Sequence, residues 1–191
     1  MREVDPDGKR RAILDAALTL FDRRGFYGTT VPAIAAEARV GAGTVYRNFA
    51  SKEELVNVLY REAKARLAGF LLEGFPSGAS TRQQFAHLWS RMGAYAREHG
   101  ASLAFAEVHY HAEYLDEESV ETSRAVHERF LEVVREGQAR RALKPIDPEV
   151  IMAAIEGPFF VLVRRARGGA LELSEELLQR AEQCVWEAIR A

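Results

Sequence analysis

The chain has one cysteine, Cys184, so it can form neither an internal disulfide nor a cysteine-based zinc site. Val185, Ala181 and Ala188 around it predict a buried structural thiol. No apolar run is long enough to span a bilayer. The stretch from Met1 to Arg11 is polar and charged, unlike a secretory signal. A cytoplasmic protein without membrane contact is expected. Strand-like alternation, internal repeats and low-complexity segments are missing as well. There is no phosphate loop and no nucleophile–base–orienter set, and neither an enzyme nor a bound cofactor is expected. Nor is there a strong excess of charge, the net value being −2. Within residues 1–50, however, eight cationic side chains face six carboxylates, so the chain's negative charge lies in the remainder. A mildly basic N-terminal part on an acidic body fits contact with DNA at one end.

What is present is helical periodicity throughout. The 191 residues are 48% hydrophobic and 28% charged, which allows one compact unit or a small domain with a larger one. The expected fold is all-α, with about nine helices. Asp5-Pro6 opens the first helix, Ile13, Ala17, Leu20 and Phe21 give it an apolar face, and Gly25 caps its end near Arg24. Lys9, Arg10 and Arg11 near its start are either phosphate contacts or a solvated charge cluster.

The most informative stretch runs from Thr29 to Leu55. Thr29 or Thr30 is placed to cap a helix, with Pro32 in its first turn. Ile34, Ala35 and Ala38 form a small apolar face that lets a second helix cross closely. Val40 and Gly41 make the corner, glycine accepting the backbone angles of a tight turn. In the next short helix Val45 and Phe49 face inward, one turn apart. Ala42, Gly43, Thr44, Arg47 and Asn48 are left on the other face, small or hydrogen-bonding groups suited to a base-pair edge in the major groove. Arg47 is able to grip guanine O6 and N7 with two bonds, or to contact phosphate. Ser51-Lys52-Glu53-Glu54 is a capping box that starts a further helix.

Gly25-Phe26, Thr29-Thr30-Val31, Ile34-Ala35, Ala38, Val40, Gly43, Val45-Tyr46, Phe49 and Lys52-Glu53-Glu54-Leu55 together resemble the DNA-binding segment of the TetR family of bacterial transcription regulators. Two positions depart from that pattern: Gly41 stands where a serine is common and Asn48 where a histidine is common. The resemblance implies a helix-turn-helix DNA-binding domain over residues 1–50 and a ligand-binding and dimerisation domain over 51–191. It implies phosphate contacts by Thr29 or Thr30, Tyr46 and Lys52, and a position for Val31 near the DNA backbone or a thymine methyl. The partner it implies is double-stranded DNA carrying a near-palindromic operator, and the usual logic is repression released by a small ligand.

Beyond this segment the chain continues as helices. One runs from Ser51 to about Leu72 and would link the DNA-reading end to the body. Ser80-Thr81-Arg82-Gln83 is a second capping box, followed by Phe85, Leu88, Trp89, Met92 and Tyr95 on one stripe and by Gly100 as a stop. A short helix is expected from Leu103 to about Tyr114, and another from Asp116–Glu118 to about Arg141. Asp147-Pro148 opens a helix reaching about Ala166, with Pro158 inside it, and Ser174 caps the last one. The helix after Pro148 is apolar on several sides and must be buried on several sides, which points to a second copy of the chain as partner. The resemblance likewise implies a homodimer built on the last two helices, with Ile151, Ile155, Phe159, Leu177, Ala181, Cys184, Val185 and Ala188 as candidate interface residues.

The resemblance also implies a largely apolar cavity in the body, for an apolar or amphipathic effector such as an acyl chain, an aromatic acid or a drug-like compound. Phe70, Phe85, Trp89, Met92, Tyr95, Phe105, His109, Tyr110, Phe130 and Phe159 are the candidate lining, although an aromatic stripe at helical spacing also suits a plain core. Glu107 with His111, and His109 with Glu113, would lie one turn apart on a helix. Such pairs suit ion pairing or ligand contact better than a metal, for which no third ligand is evident. An all-α enzyme using that cluster, and a regulator that binds DNA without an effector, are the competing readings.

Overall fold

The computed structural model describes residues 6–110 and 112–191. Among them the chain forms nine α-helices and no strand: α1 Pro6–Arg24, α2 Val31–Glu37, α3 Ala42–Asn48, α4 Lys52–Leu72, α5 Thr81–Glu98, α6 Gly100–Val108, α7 Glu117–Ala139, α8 Pro148–Arg167 and α9 Glu175–Ile189. The all-α expectation holds. Asp5, the expected opening cap of α1, lies outside the described residues.

Capping chemistry sets most of the boundaries. Ser80 accepts from Gln83 N while the Gln83 side chain reaches back to Ser80 N, a complete capping box. Asp147 accepts from Glu149 N ahead of Pro148, and Ser174 accepts from Leu177 N. Ser51 accepts from Glu54 N, but the Glu54 carboxylate returns to Ala50 N rather than to Ser51, so that box closes one residue early. Gly25 ends α1 in the left-handed region at φ 68°, as a C-terminal glycine should. The expected boundaries of α6 were wrong. The helix begins at Gly100, one residue after α5 is capped by His99, and it ends at Val108. His109 and Glu113 are therefore not stacked on a helix, and His111 lies outside the described residues.

The chain forms two compact units. The first comprises Met1–Arg66 and Gly100–Ser123, the second Leu67–His99 and Arg124–Ala191. In the first unit α1 packs on α2, α3 and α6. Ile13, Ala17, Leu20, Phe21, Ile34, Val45 and Phe49 share its core with Leu55, Leu59 and Tyr60 of α4 and with Phe105 of α6. Phe21 stacks on Phe105 with ring centroids 5.9 Å apart. In the second unit α9 packs on α5 and α8. Trp89 Nε1 donates to Leu178 O at 2.8 Å, and the Trp89 ring meets Phe85 and Phe159. Gly93 permits the close approach of α9: a Cβ there would lie 2.7 Å from Leu178 Cδ1.

Candidate nucleic-acid interface and effector body

The geometry of α2 and α3 follows from their ends. Thr30 is the N-cap of α2 and accepts from Ala33 N, with Pro32 in the first turn. The helix closes at Ala38. The corner is then turned by Arg39, which takes φ 54°, while Gly41 has φ −71°. Glycine is thus not required at 41 by its backbone angles, and α3 starts there without a side-chain cap.

Val45 and Phe49 point into the core, as their spacing predicts, and the Arg10 guanidinium lies over the Phe49 ring at 4.9 Å. Ala42, Gly43, Tyr46 and Arg47 are exposed, and Thr44 and Asn48 are half-buried. Arg47 Nη2 donates to Thr44 Oγ1 at 3.1 Å, and Asn48 Nδ2 donates to Thr44 O at 2.8 Å. The outer face of α3 therefore presents small residues beside one arginine and one tyrosine.

Three of the predicted phosphate or near-DNA residues are placed differently. Thr29 is 1% exposed, and its hydroxyl donates to Gly25 O and Leu20 O, so it holds the turn. Val31 belongs to the core. Lys52 turns inward: Nζ donates to Phe26 O at 2.9 Å and Thr29 O at 3.0 Å, and it lies 3.9 Å from the Phe26 ring centroid. Arg11 is likewise engaged, with Asp15 and Glu62. Of the basic residues near the start of α1, neither Arg10 nor Arg11 is a bare surface charge.

The turn after α6 completes the first unit. Tyr114 stacks on Phe26 with centroids 4.0 Å apart. Asn57, buried in α4, donates to Tyr114 O and accepts from Asp116 N. Burial works against the Asp116 carboxylate, but the Ser119 hydroxyl and N–H and the Arg61 guanidinium outweigh it and hold its pKa below the usual range. His109 is 3% exposed, and burial lowers its pKa to about 4, so it is neutral near pH 7. Burial raises the Tyr114 phenol to about 12. The phenol accordingly donates to His109 Nδ1, 2.5 Å away. Phe105 and His109 serve this packing beneath α1, not a part of the second unit. Among the described residues no group of three or more potential metal ligands is brought together.

In the second unit Phe85, Trp89, Tyr95 and Phe159 are buried side chains in mutual contact or in contact with neighbouring helices. Phe70 carries the Arg91 guanidinium 3.8 Å from its ring centroid and meets Tyr95 edge-on. Met92 and Phe130 are half-buried, and Tyr110, in the first unit, is exposed. Gln84 is a feature that sequence reasoning missed. Its amide nitrogen donates to Pro76 O and Ser77 O, which leaves buried Oε1 without a partner. Thr81 Oγ1 and His87 Nε2 on the same helix are also buried and unpartnered. Buried polar atoms of this kind are few in folded proteins, and helical periodicity carries no signal for them.

On α8 and α9 the predicted interface set divides. Ile151, Phe159 and Val185 are buried within the chain itself and are not surface groups. Ile155, Leu177 and Ala181 are half-buried, while Ala188 and Cys184 are exposed, the latter contrary to the expected buried thiol. The exposed apolar face of α8 is instead Val150, Ala153, Gly157 and Val161, with Val150 54% and Val161 43% exposed. Among the described residues no helix is long and apolar enough to cross a membrane.

A capped α2, a tight corner and an α3 that buries one face and exposes the other define a helix-turn-helix DNA-binding protein. The comparisons specify which kind. The family model for bacterial regulatory proteins of the tetR family matches residues 13–59, and that for the tetracyclin repressor-like C-terminal domain matches residues 60–191. The chain belongs to the TetR family of transcriptional regulators. It is 25% identical over 179 residues to the HTH-type transcriptional repressor KstR2 of Mycolicibacterium smegmatis, a match covering 92% of this chain and 87% of that protein. It is 40% identical over 75 residues to KstR2 of Rhodococcus jostii, a match that covers 39% of this chain and only 37% of that protein. A solved TetR family transcription regulator from Shewanella sp. PV-4 superposes with a TM-score of 0.81 at 25% identity, covering 96% of this chain and 98% of that one.

Proposed function

We propose that the chain is a dimeric repressor that reads a near-palindromic operator and is released from it by a small apolar or amphipathic effector. Residues 1–50 form the DNA-binding domain in this reading, and 51–191 the effector-binding and dimerisation domain. The observation that carries it is the division of α3: Val45 and Phe49 hold the helix down while Ala42, Gly43, Tyr46 and Arg47 stay exposed. Arg47 is the base-reading candidate, with Thr44 and Gly43 at close approach. Tyr46 and Thr30 offer hydroxyls to phosphates. A two-fold dimer would set two such helices about 34–36 Å apart, one turn of B-DNA.

Dimerisation is supported by the exposed Val150, Gly157 and Val161 of α8 and by Cys184 and Ala188 of α9. The repressor assignment is supported by the KstR2 relatives of Rhodococcus jostii and Mycolicibacterium smegmatis, both transcriptional repressors. Effector binding in the second unit is supported by the buried, unpartnered atoms of Thr81, Gln84 and His87, which a polar group on an otherwise apolar molecule would answer. α4 and α7 each contribute residues to both units and are covalent paths by which effector binding would reach the DNA-binding domain. About 2.7 kcal/mol of coupling is enough for a hundredfold loss of DNA affinity.

Selection of bound sequences from a random duplex pool, at stated salt, tests the reading. A near-palindromic motif is expected; no enrichment by the folded protein, before and after refolding to strip any captured ligand, would overturn it. Sedimentation of Val161→Glu beside the parent chain tests the dimer, the variant being expected to run as a monomer.

A further inference from the structure

Lys52 is a predicted DNA contact whose charged group is already held by the backbone of the fold. Of its three N–H donors, one meets Phe26 O at 2.9 Å and one meets Thr29 O at 3.0 Å. The ammonium also lies 3.9 Å from the Phe26 ring centroid, where the ring's negative face attracts a cation. These contacts join the first residue of α4 to a turn 23 and 26 residues earlier in the chain. That turn carries Thr30, the cap of α2. Its other side is fastened by the Thr29 hydroxyl on Leu20 O and Gly25 O and by the Tyr114 ring on Phe26. Two of the three ammonium donors are thus committed to backbone carbonyls, and the cation is also held against the ring.

We propose that Lys52 is a positioning residue for DNA reading: it locks the Phe26–Thr30 turn onto the start of α4 and so sets α2 and α3, instead of neutralising a phosphate. This rests on the DNA-binding reading above. The two roles predict different salt dependences. A phosphate contact contributes about 0.9 to the slope of log affinity against log salt. A positioning contact leaves that slope alone and lowers affinity equally at every salt.

The test compares the parent chain with Lys52→Met on the duplex recovered by selection, across a range of salt concentrations. Affinity is expected to fall roughly tenfold, equivalent to about 1.4 kcal/mol, with parallel salt plots. A slope reduced by about one, with the loss shrinking as salt rises, would overturn the proposal. If Lys52→Met does not fold, Lys52→Gln, which keeps one donor, is measured in the same way. Amide hydrogen exchange on the DNA-free proteins gives an independent answer. Faster exchange is expected over residues 27–34, with Val45 and Phe49 as slow as in the parent; unchanged exchange over 27–34 would overturn the lock whatever the DNA result. Failure of the DNA-binding reading is recognised separately, because the parent chain itself would then enrich no duplex.

Discussion

The two units bury polar groups on different terms. In the first, Thr29, Asn57, His109, Ser119 and Ser123 are buried and each has a named partner: carbonyls for Thr29 and Asn57, Tyr114 for His109, Arg61 for Ser119, Tyr60 for Ser123. In the second, Thr81 Oγ1, Gln84 Oε1 and His87 Nε2 are buried and unpartnered, and α8 and α9 carry apolar surface at Val150, Val161 and Cys184. A buried polar group left unpaired costs roughly 1–3 kcal/mol. Among the described residues of the first unit no buried side-chain polar atom is left without a partner, and one face of α3 is offered outward. The second leaves three such atoms unmet on α5, whereas exposed apolar side chains occur in both units, at Val108 and Val120 in the first and at Val150 and Val161 in the second. The two units thus differ in how their buried polar atoms are satisfied, and in the proposed reading the unmet atoms on α5 are where an effector's polar group would be met.

Four measurements test this contrast. The largest effect is expected from Trp89→Ala. If the aromatic stripe of α5 is core, the loss is about 3–5 kcal/mol in denaturant unfolding, because the ring fills space against Phe85 and Phe159 and its N–H holds Leu178 O. A loss below about 1 kcal/mol, far under the range for a buried tryptophan, would return Trp89 to the effector lining. Arg47→Ala should weaken operator binding by about 1–3 kcal/mol and relax one base position, while the melting temperature stays put. Uniform loss over all operator variants would mark a phosphate contact instead.

The closed packing of the first unit predicts a pH response. His109 is neutral when folded, its pKa lowered to about 4 from 6.5 by burial. Between these values the unfolded chain binds a proton that the folded chain does not. Its contribution is therefore fully present above pH 6.5 and is lost as pH falls towards 4. Stability at pH 5 should be about 2 kcal/mol below that at pH 7 on account of this group. In His109→Gln the drop should shrink by that amount; an unchanged drop would show that other groups govern acid sensitivity. The smallest effect is expected from Gly41→Ser. The backbone there is extended, nothing lies within 4 Å of an added Cβ, and α3 lacks a side-chain cap. A gain of about 0.5 kcal/mol is expected from capping and from a less flexible unfolded chain, seen as a rise in melting temperature.

Much of this was legible beforehand where the signal is local. The Ser80, Asp147 and Ser174 caps, the Gly25 stop and the burial of Val45 and Phe49 each depend on residues within a turn or two of one another. The misplaced features depend on distant ones. Lys52 turns inward because Phe26 and Thr29, 26 and 23 residues away, offer it carbonyls and a ring. Phe105 and His109 fit the pattern of an effector lining until α6 is seen packed against α1. Ile151 and Val185 look like interface residues on a helical wheel, but they face their own core, and Val150 and Val161 occupy the outer face.

The all-α class, the placing of the helix-turn-helix and the resemblance to the family to which the chain belongs could be read from the residues alone. Those follow from periodicity, capping residues and turn chemistry, which act over a few residues. It took the packed chain to show which apolar stripes are core, that the Lys52 ammonium is bound within the first unit, and that Gln84 buries a carbonyl oxygen without a partner. Each of these depends on which distant backbone and side-chain atoms meet, and a hydrogen bond or a buried surface exists only when both sides of it are in place.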